Sequence, residues 1–142
     1  MDIKKSDICL GHSLRRADRV MSQLYNEYLA PVGLRITQFS VLRVISMFKD
    51  GITASQIQEG LVMDQTTVSR ALKPLIRDGF ISVAQGANKR EKLLKLTESG
   101  EALYAEALVP WKKAQKVFKQ KLGATQTDNL IELSRQVVAL KN

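Results

Sequence analysis

Leu10, Leu14, Ala17, Met21, Leu24 and Tyr28 recur at spacings of four and three, which draws one apolar stripe along a helix. The stripe predicts a helix starting near Ser6 or Asp7 and stopping before Pro31, about 24 residues and roughly 36 Å long. That is long for so short a chain, and its spare apolar surface points to a partner helix beyond the local core. Thr37 is placed to cap a second helix carrying Phe39, Val41, Leu42, Val44, Ile45 and Phe48, closed by Gly51. Thr53 and Gln56 have capping-box spacing for a third, with Ile57 and Leu61 inward and Gly60 and Val62 turning the chain. Asp64 caps a fourth, in which Val68, Ala71, Leu72, Leu75 and Ile76 face inward and Gln65, Thr66, Ser69, Arg70, Lys73 and Arg77 face outward until Gly79. Residues 80–84 and 92–96 read as two short strands around a polar loop containing Gly86. Thr97 then caps a long helix through Leu103, Leu108, Trp111, Ala114 and Phe118, and Gly123 separates it from a last helix with Leu130, Leu133, Val137 and Leu140. Pro74 and Pro110 fall inside predicted helices, where each is expected to remove one hydrogen bond and bend the rod.

The expected fold class is therefore mainly α with a small β-hairpin, a helix-turn-helix followed by a wing between long terminal helices. A length of 142 residues favours one domain, and 44% hydrophobic with 25% charged residues is an ordinary globular mix, which sets aside disorder. No apolar run approaches the roughly 18 residues of a bilayer-spanning helix, so no membrane partner is expected. The first fifteen residues show no signal-peptide core, and the single cysteine, Cys9, has no intrachain partner; both point to a cytoplasmic protein. Charge changes the picture more. The chain carries 22 Lys and Arg against 14 Asp and Glu, a net +8 that suits a polyanionic partner. Between Asp64 and Lys95 seven basic residues stand against three acidic ones, so half of the excess sits in the middle of the chain, as in a binding surface flanked by scaffold.

A short helix followed by a second, outwardly polar and basic one is built to enter a major groove. Thr66, Thr67 and Ser69 lie in its first turns, where short hydroxyls meet phosphate oxygens. Gln65 and Arg70 are long enough to reach base edges, and Lys73 continues the basic face. The plainer alternative is a solvated helix face. At the hairpin tip, Asn88, Lys89 and Arg90 form a basic turn whose arginine suits a narrow minor groove, with Asn88 placed to steady it by hydrogen bonding. A hairpin carrying merely solubilising charges is the alternative there.

Thr37-Gln38-Phe39, Met63-Asp64-Gln65-Thr66-Thr67-Val68-Ser69-Arg70 with Leu72, Asp78-Gly79-Phe80-Ile81 and Leu96-Thr97-Glu98-Ser99-Gly100 together resemble the MarR family of bacterial regulators over nearly the whole chain. The resemblance implies a homodimer whose first, fifth and sixth helices interlock, with two winged lobes on successive grooves of a pseudo-palindromic operator. In this division 1–34 and 97–142 are dimerisation helices and 35–96 the DNA-binding lobe. The wing departs from the family's Asp-x-Arg: Asn88-Lys89-Arg90 keeps the arginine and replaces its carboxylate anchor with an amide, which still accepts a hydrogen bond but without charge assistance. The family's effectors are small anions, often aromatic, bound between scaffold and lobe; by position, His12, Arg16, Phe39, Arg43 and Trp111 are the candidates for such a cleft, each also readable as plain core or surface. Cys9 near the start of the first helix is the redox candidate, because a helix N-terminus favours a thiolate; the alternative is a small apolar residue closing a dimer core.

The expectation is a dimeric, sequence-specific DNA-binding regulator, a repressor released by a ligand or oxidant. The alternative is a winged-helix module for protein or RNA contact. An enzyme is poorly supported, since no nucleophile-base pair or phosphate-cradling loop is evident, and the lone His12 has no cluster to complete a metal site, so neither metal nor cofactor is expected.

Overall fold

In the computed structural model, which describes residues 9–88 and 90–141, the chain forms six helices and one hairpin. These are α1 (Leu10–Leu29), α2 (Ile36–Ser46), α3 (Ala54–Leu61), α4 (Gln65–Arg77), β1 (Ile81–Gln85), β2 (Lys92–Leu96), α5 (Glu98–Leu122) and α6 (Ala124–Ala139). The described part of α1 is 20 residues, about 30 Å, and Cys9 stands at its cap, the thiol sulfur accepting from His12 N–H at 3.4 Å. The start expected near Ser6 or Asp7 lies outside the described residues. A 3₁₀ turn, Ala30–Val32, follows α1 and holds Pro31, which needs no N–H there.

The second helix begins earlier than Thr37. Arg35 is its extended cap residue, with its N–H donated to Gln38 Oε1 at 3.0 Å, while Ile36 N–H reaches Asn26 Oδ1 on α1 at 2.8 Å. An acceptor from another helix thus moves the start, a signal no local motif carries. Nor does Gly51 close α2, which ends at Ser46; Gly51 instead lets the chain turn at φ +104 where a Cβ would lie 2.9 Å from Leu93 Cβ. The capping box on α3 forms as its spacing predicts, with Gln56 N–H donating to Thr53 Oγ1 at 3.2 Å and Thr53 N–H to Gln56 Oε1 at 3.0 Å. Gly60 is an ordinary helical residue, and Val62 alone makes the turn, at φ +52. Pro74 and Pro110 are accommodated within helices that run on through them.

The hairpin pairs Ile81 with Leu96 through Gln85 with Lys92, and an isolated bridge ties Ile52 to Leu94 by bonds of 3.1 and 2.8 Å. The first strand starts one residue later than expected because Phe80 is otherwise engaged: its N–H donates to Leu75 O at 2.9 Å and its carbonyl accepts from Thr97 N–H at 3.1 Å. The core sits inside the winged lobe, built from Phe39, Leu42 and Ile45 of α2, Ile57 of α3, Val68, Leu72 and Leu75 of α4, and Ile81 and Leu94 of the hairpin. Ile76, expected inward, is 37% exposed at the lobe's edge. Below the lobe α1 lies along α5, where the Tyr25 ring packs 4.9 Å from Phe118 and its hydroxyl donates to Gln115; burial pushes the Tyr25 phenol up. Against α5 lies α6, whose Ile131, Leu133, Val137 and Val138, with Leu140 just past its end, all remain exposed. Among the described residues no helix is long and apolar enough to cross a membrane.

Candidate nucleic-acid interface

Asp64 starts α4 from an extended backbone, its carboxylate accepting from Thr67 N–H at 2.7 Å. That bond holds the Asp64 carboxyl below the usual carboxylate range, with the Arg70 charge adding to the effect. The cap fixes the direction of the helix, and the buried stripe Val68, Ala71, Leu72 and Leu75 fixes its rotation. With both settled, Gln65, Thr66, Ser69, Arg70 and Lys73 stand together on the exposed face. Thr67 is half-buried, so of the three expected hydroxyl residues it is the one turned toward the lobe. Arg77 is exposed but pairs with Asp78 at 3.1 Å.

The wing tip is held by one side chain. Asn88 Oδ1 accepts from Arg90 N–H at 2.9 Å and from Glu91 N–H at 3.0 Å, and Gly86 N–H closes the loop onto Glu91 O at 2.8 Å. Asn88 therefore steadies Arg90 through its backbone rather than through the guanidinium, a duty a neutral amide performs without a charge. Arg90 is exposed, and Lys89 lies outside the described residues.

Sequence reading missed three residues of this face. Arg35, Thr37 and Gln38 at the start of α2 line a cleft of about 330 Å³ with Thr67 and Arg70 of α4. The two segments are some thirty positions apart, and only the packing of α2 on α4 brings a second arginine beside the recognition helix.

Of the five effector-cleft candidates, the structure brings three together. Phe39 stacks on Trp111 at 5.3 Å and 25°, Tyr104 flanks it at 5.7 Å, and the Arg43 guanidinium lies 4.5 Å over the Trp111 ring. Phe39 is 1% exposed, so this stack is core and presents no open wall at Phe39. His12 and Arg16 stand on the first turns of α1, outside the stack. The open space is further along α2: a cavity of about 290 Å³ between Ile45, Phe48, Lys49, Lys95, Glu101 and Tyr104, which sequence spacing did not reveal. Cys9 is exposed, and no group of three or more metal-binding side chains exists among the described residues.

A capped polar helix after a tight turn, followed by a basic hairpin, defines a winged helix-turn-helix DNA-binding protein. Comparison with known proteins makes the assignment specific. The MarR family model matches residues 32–91. The chain is 34% identical over 119 residues to the uncharacterised HTH-type transcriptional regulator YwoH of Bacillus subtilis, covering 84% of this chain and 83% of that one. It is 31% identical over 103 residues to the multiple antibiotic resistance protein MarR of Escherichia coli, covering 72% and 71%. Among solved structures it resembles the M. tuberculosis transcriptional regulator MosR in complex with DNA, with a TM-score of 0.78 and 32% identity over 94% of this chain and 99% of that chain. A mutant E. coli MarR complexed with operator DNA superposes at a TM-score of 0.83, with 26% identity over 96% and 99%. The chain belongs to the MarR family of transcriptional regulators.

Proposed function

We propose that this regulator acts as a homodimer on a pseudo-palindromic operator, as a repressor, and that a small ligand or an oxidant releases it. Gln65, Thr66, Ser69, Arg70 and Lys73 of α4 address the major groove, Arg35 and Thr37 the adjoining backbone, and Arg90 the minor groove. The observation that carries this reading is the exposed polar face of α4, whose direction and rotation are fixed by the Asp64 cap and the buried stripe. The relatives bound to DNA in their crystal structures support it. They are regulators, which supports a non-enzymatic role, and work on duplex DNA favours the cytoplasm.

The exposed apolar residues of α1 and α6 support the dimer. Leu14, Met21, Leu130, Ile131 and Val138 line a groove of about 570 Å³, and a second copy of the same helices fits it. Two recognition helices then need to stand about 34 to 36 Å apart, one turn of duplex, so an effector that changes their separation weakens binding without touching DNA. The cavity beside Tyr104, where Lys49 and Lys95 outnumber the one carboxylate, Glu101, and Ile45 and Phe48 are apolar, suits a small anionic or aromatic effector. An oxidant would act at the exposed Cys9.

Fluorescence anisotropy against duplex from upstream of the protein's own gene, with duplexes enriched by in vitro selection and a scrambled control, tests the reading at two salt concentrations. Salt-sensitive preference for one duplex is expected, and Arg70→Ala should cost about 1–3 kcal/mol if it reads a base. If no selected duplex outcompetes scrambled DNA, the regulator reading fails and the protein-contact reading takes its place.

A further inference from the structure

The lobe carrying the recognition helix is tied to the scaffold helices at its front and at its rear. At the front, Asn26 on α1 accepts from Ile36 N–H and fixes the start of α2. At the rear, α5 begins against the turn that ends α4. Thr97 Oγ1 donates to the Gly79 carbonyl at 2.6 Å, and Ser99 Oγ stands 3.1 Å from the same oxygen and 3.0 Å from Thr97 Oγ1, so the two hydroxyls and the carbonyl form one compact triangle. Thr97 N–H donates to Phe80 O, and a Cβ on Gly100 would fall 1.9 Å from that oxygen, so α5 rests directly on the backbone of the wing root. Gly79 and Phe80 in turn donate their N–H groups to Ile76 and Leu75 at 3.1 and 2.9 Å. A chain of hydrogen bonds thus runs from the last turn of α4 to the first turn of α5, and its only side chains are two short hydroxyls.

We propose that Thr97 and Ser99 are positioning residues for DNA recognition: a pair of hydroxyls that sets the angle of α4 and the wing root against the scaffold while touching no nucleotide. The leverage is geometric. The 13 residues of α4 span about 20 Å, so a tilt of about 3° at the clamped end moves the other end by about 1 Å. Bidentate contacts to base edges do not survive such a displacement, whereas attraction to the phosphate backbone barely changes. The clamp therefore controls the ratio of specific to non-specific binding. Thr97 has a second duty, since its hydroxyl accepts from Gly100 N–H at 3.1 Å and caps α5. Ser99 accepts no backbone N–H of α5, but its oxygen lies 3.0 Å from Thr97 Oγ1, so replacing it removes one partner of the clamp and leaves Thr97 itself to cap α5.

The inference rests on the regulator reading, and the experiment separates the two. Wild type, Ser99→Ala and Ser99→Thr are titrated against a duplex selected on wild type and against scrambled duplex, at several salt concentrations, with melting temperature recorded for each. Ser99→Ala should lose about fivefold in affinity for the selected duplex, roughly the worth of one hydrogen bond. Its affinity for scrambled duplex and the slope of affinity against salt should stay at wild-type values, the melting temperature should fall by no more than one lost hydrogen bond accounts for, and Ser99→Thr, which keeps the donor, should restore specific binding. Three outcomes overturn the proposal: Ser99→Ala binding the selected duplex as wild type does, both duplexes weakening together with a fall in melting temperature, or Ser99→Thr proving as weak as Ser99→Ala. Should Ser99→Ala fail to fold, Ser99→Thr and Thr97→Ser decide, since each keeps its donor and both must retain full specificity. Failure of wild type to select any duplex overturns the regulator reading itself.

Discussion

Val62 holds the left-handed turn between α3 and α4 at φ +52, a conformation that crowds a β-branched side chain, and it does so 71% exposed, with little packing in return. Replacing it with asparagine, which tolerates this region, should raise stability by about 0.5–1 kcal/mol in urea unfolding; a loss would mean that the valine methyls carry contacts worth more than the strain. Asp64 gives a pH dependence of known sign. Its folded carboxyl lies below the unfolded value, so the cap stabilises α4 above the ordinary carboxylate range and is lost as pH falls through the folded value. Helix signal and melting point should therefore decline below the ordinary carboxylate range more steeply for wild type than for Asp64→Asn, which caps without titrating. Parallel declines in the two proteins would remove Asp64 from the acid response. Both caps, Thr53 with Gln56 and Asp64 with Thr67, were legible in the sequence because donor and acceptor lie three residues apart.

Elements were legible where their periodicity is internal and shifted where another element supplies a partner. The stripe of α4 emerged as the spacing predicts except at Ile76, and its outward face did so too, whereas α2 starts at Ile36 because Asn26 reaches it, and β1 starts at Ile81 because Phe80 is held by α4 and α5. Glycines show the same division. Gly60→Ala in α3 meets nothing within 4 Å and should gain up to about 0.5–1 kcal/mol, while Gly100→Ala drives a methyl into Phe80 O and should cost about 3 kcal/mol or more. Urea midpoints of the two variants, moving in opposite directions, check the closeness of α5 to the wing root; similar midpoints would contradict it. Leu96-Thr97-Glu98-Ser99-Gly100 is recognisable as a string, but its physical content, two hydroxyls and a missing Cβ around two carbonyls, exists only once α5 meets the turn after α4.

At the scale of the molecule, the apolar face shared by α1 and α6 has too little of the single chain to cover it. Ile131 is 48% exposed on that face, and Ile131→Glu should weaken dimerisation about tenfold or more in sedimentation velocity, with operator affinity falling alongside. A variant that stays dimeric would place the interface elsewhere. The sequence by itself determined the helix-turn-helix, the hairpin, the caps of α3, α4 and α5 and the concentration of positive charge on one helix and one turn, because each is encoded in neighbours a few residues apart. Tertiary structure decided the rest. Packing of α2 on α4 set Arg35 beside Arg70, and the stacking of Phe39 on Trp111 put the Phe39 ring in the core. Contact of α5 with the wing root brought Ser99 onto the carbonyl that ends the turn after α4. These depend on distances between segments tens of residues apart, which spacing along a chain cannot specify.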